Sequence, residues 1–236
     1  LLVPHAFFYS IRGARNDDCP PQLGPHSSWW NDPELLAFHR SCQRLCWVNF
    51  ESKPICNVAV LERNDRLPEK AARVLIENKI DFHYLEDRHL WEDAIITDES
   101  IRLGPAYYDV LVAERAFMHE DVSNAVAGLS SHGRVLILEE TVDLIAALKQ
   151  MITPIVETVE PSPWLRARLV EKQGSLWCML FNEGTEAIEP IISFHGAKPW
   201  QEIDPTVGEI IARFEVDAPQ VIALASGEMR LYTSDM

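Results

Sequence analysis

Three runs of this chain, CNVAVL (56–61), DVLVAE (109–114) and RVLILE (134–139), are apolar at nearly every successive position. A strand with one wet face alternates apolar and polar residues. An unbroken apolar strand is buried on both faces, as parallel strands covered by two helical layers are. A fourth strand candidate is Phe82–Glu86, and the full candidates around the runs are Ile55–Leu61, Tyr108–Glu114 and Arg134–Glu139. Helix-period segments separate them near Pro68–Lys79, Glu120–Ser130 and Thr141–Thr153, with a short one at His89–Ala94. The alternation predicts an α/β unit over residues 51–157, a small doubly wound parallel sheet with helices on both faces.

Past VETVEPSPW (156–164), where Pro161 and Pro163 end helix propensity, the period falls to about two. Leu165–Val170, Leu176–Asn182, Ile188–Phe194, Ile210–Glu215, Val221–Ala225 and Met229–Thr233 read as strands, so residues 158–236 are expected to form an antiparallel β-sandwich. Residues 1–50 differ from both. A buried strand over 1–10 leads into a long loop, RGARNDDCPPQLGPHSSWWN, and then a helix opened by Asp32 and Pro33 that runs to about Phe50. Loops this long are usually functional or disordered, and the paired tryptophans and prolines argue for an ordered, functional one.

Charge sorts the same three parts. The chain has 236 residues and a formal net charge of −15. Residues 1–50 are net neutral, whereas 51–157 carry −9 and 158–236 carry −6. No counterion-releasing basic surface exists, so nucleic acid is not an expected partner. No apolar run approaches the roughly 18 residues of a membrane span, and LLVPHAFF is too short for a secretory apolar region. Five cysteines, an odd and scattered set, imply no disulfide framework and point to a reducing, cytoplasmic compartment. Because the chain begins at Leu1, it reads as a piece of something longer.

Most chemical motifs are absent. The turn after the first parallel strand, ERNDRLPEK, has no Gly-rich phosphate loop, and no GxSxG or GxCxG elbow occurs. Glu139 and Glu140 end the last parallel strand where a nucleophile would stand; there they read as charge matched to a helix dipole rather than as an acid–base pair. His39, Cys42 and Cys46 share one helical face and could suit zinc, but they continue the apolar stripe of Leu35 and Leu45, and core packing is the preferred reading. No metal or other cofactor is expected. What remains is His5, Tyr9, Arg12, Arg15, His26, Trp29 and Trp30 on the N-terminal strand and loop. Tryptophan faces stack on pyranose rings while Arg and His donate to hydroxyls, so His5, Tyr9, Arg12, Trp29 and Trp30 are the candidate carbohydrate-binding residues.

The residues VPHAFFYSIRGARNDDCPPQLGPHSSWW, RSCQRLCWVNFES, PICNVAVL and DFHYLE (Asp81–Glu86), with the NEG turn 182–184 and the stretch EIDPTVGEI, resemble the C-terminal part of large bacterial glycoside hydrolases of the α-L-rhamnosidase-like and glycoside-hydrolase-family-two-like groups. The resemblance implies that residues 1–50 are the last strand, loop and helix of a TIM barrel. It implies that 51–157 is a flavodoxin-like, class I glutamine amidotransferase-like domain, as in β-galactosidase trimerisation domains, and that 158–236 is the following sandwich. It further implies a portion that is catalytically incomplete alone, because the barrel strands bearing the two carboxylates lie elsewhere. Such a portion contributes an active-site rim and contacts to the remaining domains or to other copies in a homo-oligomer. A different reading of the same residues is a standalone non-catalytic binding or assembly module on an amidotransferase-like fold without its nucleophile.

Overall fold

The computed structural model describes residues 33–63, 66–138 and 143–235. Helix α1 (Pro33–Asn49) leads into a two-residue strand, β1 (Lys53–Pro54). The α/β layer follows in the expected order: β2 (Val58–Glu62), α2 (Glu69–Glu77), β3 (Phe82–Glu86) and α3 (His89–Glu92). A small antiparallel meander then interrupts it, made of β4 (Ile95–Ile96), β5 (Ile101–Leu103) and β6 (Ala106–Tyr108). The parallel layer resumes with β7 (Val110–Glu114), α4 (Glu120–Ala125), α5 (Ala127–Ser131), β8 (Val135–Leu138) and α6 (Leu144–Lys149).

The four parallel strands lie in the order β3-β2-β7-β8, with Val58 opposite both Phe82 and Val110. The unbroken apolar runs have the reason expected of them. Val58, Val60, Val110 and Val112 face Ala71 and Leu75 of α2 and Leu144 and Leu148 of α6. Their neighbours Ala59, Leu61, Leu111 and Ala113 face Leu90, Val122, Val126 and Leu129 on the other side. Burying one such aliphatic side chain is worth about 1.5–3 kcal/mol, so each strand is held from both faces. The expected strand Tyr108–Glu114 is in fact two. Asp109 donates its N–H to Asn57 O at 2.8 Å, and the chain bends there, leaving Tyr108 in the meander.

Helix α2 ends in a Schellman turn: Lys79 N–H bonds Ile76 O and Ile80 N–H bonds Leu75 O. The left-handed residue of that turn is usually glycine, but here it is Lys79, with φ of 60°. The ammonium explains the choice. Lys79 Nζ donates to Ile76 O (3.1 Å), Glu77 O (2.9 Å) and Ser162 O (2.6 Å), tying the helix end to the Pro-rich linker. Burial, with a smaller push from Arg166, lowers its pKa to about 8, which still leaves it charged at neutral pH.

The antiparallel part has β9 (Val156–Thr158), β10 (Leu165–Lys172), β11 (Ser175–Asn182), β12 (Ile191–Phe194), β13 (Trp200–Ile203), β14 (Ile210–Phe214), β15 (Gln220–Val221) and β16 (Met229–Asp235). They form a six-stranded sheet, β1-β10-β11-β16-β13-β14, and a three-stranded sheet, β15-β12-β9. Strands β10 and β11 are joined by Gln173 and Gly174, both at positive φ, as a two-residue hairpin turn requires. The two sheets enclose Leu165, Cys178, Leu180, Ile192, Phe194, Trp200, Leu224 and Tyr232. Both ends of segment 51–157 pair into this part, since Lys53 opposes Glu171 and Glu157 opposes Ser193. Helix α1 lies on the outer face of the six-stranded sheet, with Leu45 and Val48 against Val170, Met179 and Leu231. No described helix is long and apolar enough to cross a membrane.

Candidate functional site

Ligands of open parallel sheets bind beyond the carboxyl ends of the strands, beside the point where strand order reverses. Three of the four strands here end on glutamate: Glu62, Glu86 and Glu114. Glu114 Oε1 accepts the N–H groups of Lys70 (2.8 Å) and Ala71 (3.1 Å) in the first turn of α2. That is where a phosphate would bind at a helix N-terminus, so the chain's own carboxylate already fills the anion position. Glu86 Oε2 accepts from Arg88 Nε at 2.7 Å, while its Oε1 is buried without a partner. Asp87 Oδ2 lies 3.2 Å from His119 Nε2. An anionic ligand would therefore meet carboxylates along this edge, in accord with the absence of a phosphate loop. Glu139 and Glu140, the expected fourth pair, lie outside the described residues.

The opposite, amino end of the sheet abuts the sandwich, and a few polar side chains lie there among apolar ones. A cavity of about 120 Å³ there is lined by residues including Asn57, Lys79, Asp81, Thr153 and Leu169. Asp81 Oδ1 accepts from Phe82 N–H, and its Oδ2 is buried and unpartnered. Burial raises the Asp81 pKa, with Arg168 opposing that shift. Nearby, His83 Nδ1 and the Tyr108 hydroxyl are 3.0 Å apart, and burial pushes the Cys56 thiol up to about 12.

A second polar link joins α6 to the sandwich. Lys149 pairs with Glu157, whose other oxygen is 3.2 Å from His195 Nε2; His195 Nδ1 is 2.5 Å from Asp217 Oδ1. The hydrogen bond from Lys149 is the largest cause holding Glu157 below the ordinary carboxylate range. A carboxyl with a depressed folded-state pKa contributes stability above its unfolded value, near 4.5, and loses it as pH falls through the folded value. Glu157→Gln is accordingly expected to remove part of the acid-side fall in stability. Chemical melts of both proteins between pH 3 and 7 check this, and parallel pH curves would refute it.

His39 Nε2 is buried and unpartnered on α1, and the Cys42 thiol is raised by burial and then by Cys46. Among the described residues, no three His, Cys, Asp or Glu side chains converge to hold a metal ion. The expected sugar-contacting residues His5, Tyr9, Arg12, Trp29 and Trp30, with Arg15 and His26, all lie outside the described residues.

Two of the motifs turn out to be structural. The NEG turn is fixed by Asn182, which is fully buried and donates from Nδ2 to Glu186 O (2.7 Å), Leu224 O (3.2 Å) and Ala225 O (3.0 Å). A side chain on Gly184 would meet Trp164 at about 3.0 Å, which explains the glycine. In the DPTVG stretch, Asp204 Oδ1 accepts from both the N–H and the hydroxyl of Thr206 at 2.6 Å, and Gly208 has φ of 83°. Sequence reasoning missed Arg44, whose guanidinium reaches from α1 to the carbonyls of Pro205 (2.9 Å), Thr206 (2.6 Å) and Val207 (2.8 Å). An arginine on a helix gives no local sign of a partner 160 residues away.

No protein-family model matches the sequence, and no curated protein does. Among solved structures, the chain is similar to a rhamnosidase from Novosphingobium sp. PP1Y, with a TM-score of 0.60 and 12% identity over 86% of this chain and 24% of that one. It is also similar to a β-galactosidase from Bacillus circulans sp. alkalophilus, with a TM-score of 0.53 and 11% identity over 85% of this chain and 44% of that one. At such identities the likeness is one of fold. This chain thus has a fold that occurs in glycoside hydrolases, and it spans about a quarter of the rhamnosidase and less than half of the β-galactosidase.

Proposed function

We propose that this chain is the C-terminal portion of a carbohydrate-active glycoside hydrolase, catalytically incomplete alone, which supplies an active-site rim and contacts to the remaining domains or to other copies. The observation that carries this reading is the likeness of fold to the rhamnosidase, which covers 86% of this chain. Two strand-end carboxylates fit the reading too: Glu114 caps the first turn of α2, and Glu86 accepts from Arg88 through one of its oxygens.

The parallel layer is read as flavodoxin-like and amidotransferase-like without its nucleophile. Its strand order supports this, with the first parallel strand inside the sheet. Cys56, the one described cysteine of this layer, is a buried thiol with a raised pKa, the reverse of an activated thiolate.

The 236-residue chain is expected to give no turnover of aryl rhamnosides or aryl galactosides, whereas the polypeptide of its whole reading frame hydrolyses one of them. Turnover by the chain alone, or a reading frame without a preceding barrel, would overturn the proposal.

A further inference from the structure

His195 follows β12 and stands between two carboxylates from different segments. Its Nε2 lies 3.2 Å from Glu157 Oε2 on β9, and its Nδ1 lies 2.5 Å from Asp217 Oδ1 in the turn between β14 and β15. The backbone holds both ends of this arrangement. His195 N–H donates to Ile155 O and Asp217 N–H to Phe194 O, at 2.8 and 2.9 Å, and Asp217 takes a left-handed φ of 60°. Glu157 accepts through its other oxygen from Lys149, the last residue of α6. The four side chains Lys149, Glu157, His195 and Asp217 thus run from the α/β layer, past the crossing segment 150–156, to a turn of the sandwich. They are the charged groups in contact with the imidazole or with its partners.

Protonation decides how much of this connection forms. A neutral imidazole has one N–H and one lone pair, whereas the imidazolium donates from both nitrogens. An ionised carboxylate only accepts, so both contacts are hydrogen bonds only when the ring is charged. The hydrogen bond from Lys149 first, with His195 adding to it, holds Glu157 below the ordinary carboxylate range, so it remains an acceptor at neutral pH. When the ring gives one proton to solvent, the shorter contact keeps its hydrogen. That hydrogen stays on Nδ1 against Asp217, and the bare Nε2 turns its lone pair towards Glu157. The side chain is 23% exposed, which gives the departing proton a path to water.

We propose that His195 is a pH-sensitive latch between the α/β layer and the sandwich: the charged ring ties Glu157, and through it Lys149 at the end of α6, to the Asp217 turn, and the neutral ring releases that tie. Histidine ordinarily changes charge between about pH 5 and 8. The charged ring is the form held in the folded chain, so the latch adds stability at the acid end of this range and loses it as pH rises. The Glu157 carboxyl acts in the opposite sense, because its own contribution is lost towards acid. Together they make this junction firmest in mildly acid solution. The latch rests on these four side chains and is independent of the carbohydrate reading.

Urea melts of the 236-residue chain, His195→Gln and Asp217→Asn at about pH 5.5 and about pH 8 test it. Between these two conditions the unfolding constant of the parent is expected to rise about two- to fivefold more than that of His195→Gln, the size of a partly exposed charge contact. Asp217→Asn removes the charge but keeps a residue that tolerates the left-handed turn, so it should fold normally and lose the same pH dependence. Hydrogen exchange places the effect. Corrected for the intrinsic chemical rate, the amides of residues 144–157 should exchange faster at the higher pH in the parent, and this difference should vanish in His195→Gln. Nitrogen spectra of the ring should show hydrogen on both nitrogens at the lower pH and on Nδ1 alone at the higher. Equal pH dependence in the parent and His195→Gln overturns the proposal. Hydrogen left on Nε2 alone at the higher pH also overturns it, since Glu157 would then never be released.

Discussion

Asn182→Asp is expected to destabilise the chain by about 3–5 kcal/mol, although it exchanges a single nitrogen for oxygen. The side chain is fully buried, and its amide nitrogen meets three carbonyls, those of Glu186, Leu224 and Ala225. Its oxygen accepts the Gly184 N–H at 2.9 Å. An aspartate keeps that last bond but turns an acceptor, or a buried charge, towards three acceptors, a loss of the size found when a buried polar network is broken. Urea melts at pH 7 measure the effect. Asn182→Ala removes the same donors and is expected to cost about 3 kcal/mol. If both variants lose less than about 1 kcal/mol, this hydrogen-bond account of the NEG turn is wrong.

The sandwich core should be equally sensitive at Trp200. The residue is completely buried, stacks on Phe194 at 5.1 Å and 28°, and donates from Nε1 to His195 O at 3.3 Å. Phe194 in turn packs on Tyr232 at 4.9 Å, and Tyr232 on Phe214 at 5.6 Å, so one aromatic cluster links both sheets. Trp200→Ala is expected to cost about 3–5 kcal/mol through lost transfer energy and the cavity left behind. That is a large part of the stability of an ordinary domain. Should the alanine variant fail to fold, Trp200→Phe retains the stacking and should melt between it and the parent. A parent-like melt for Trp200→Ala would refute the account.

Local pattern located most elements but not their partners. The expected strand Phe82–Glu86 matches β3 residue for residue, and the helix Pro68–Lys79 differs from α2 only at its caps. Several of the shortest strands escaped. Lys53–Pro54, Val156–Thr158, Trp200–Ile203 and the meander 95–108 are too short for a period to emerge; the first three exist because a longer neighbour offers free backbone groups, and the meander strands pair only with one another. The DPTVG stretch was legible as a motif, yet its grip by Arg44 was not, since that contact spans 161–163 residues.

What the sequence determined by itself is the change of architecture near residue 157. Unbroken apolar runs can be buried only between two helical layers, whereas alternating ones need a single core face, and that distinction depends on residues a few positions apart. What only the tertiary structure decided is how the parts are joined. The helix that reads as the end of a barrel lies on the outer sandwich sheet, and a lysine in a left-handed turn pins α2 to the linker. The segment between them gives strands to the sandwich at both ends. Such contacts follow from which buried surfaces and backbone groups remain unpaired once the strands have associated, a property of the assembled chain that no local window of sequence contains.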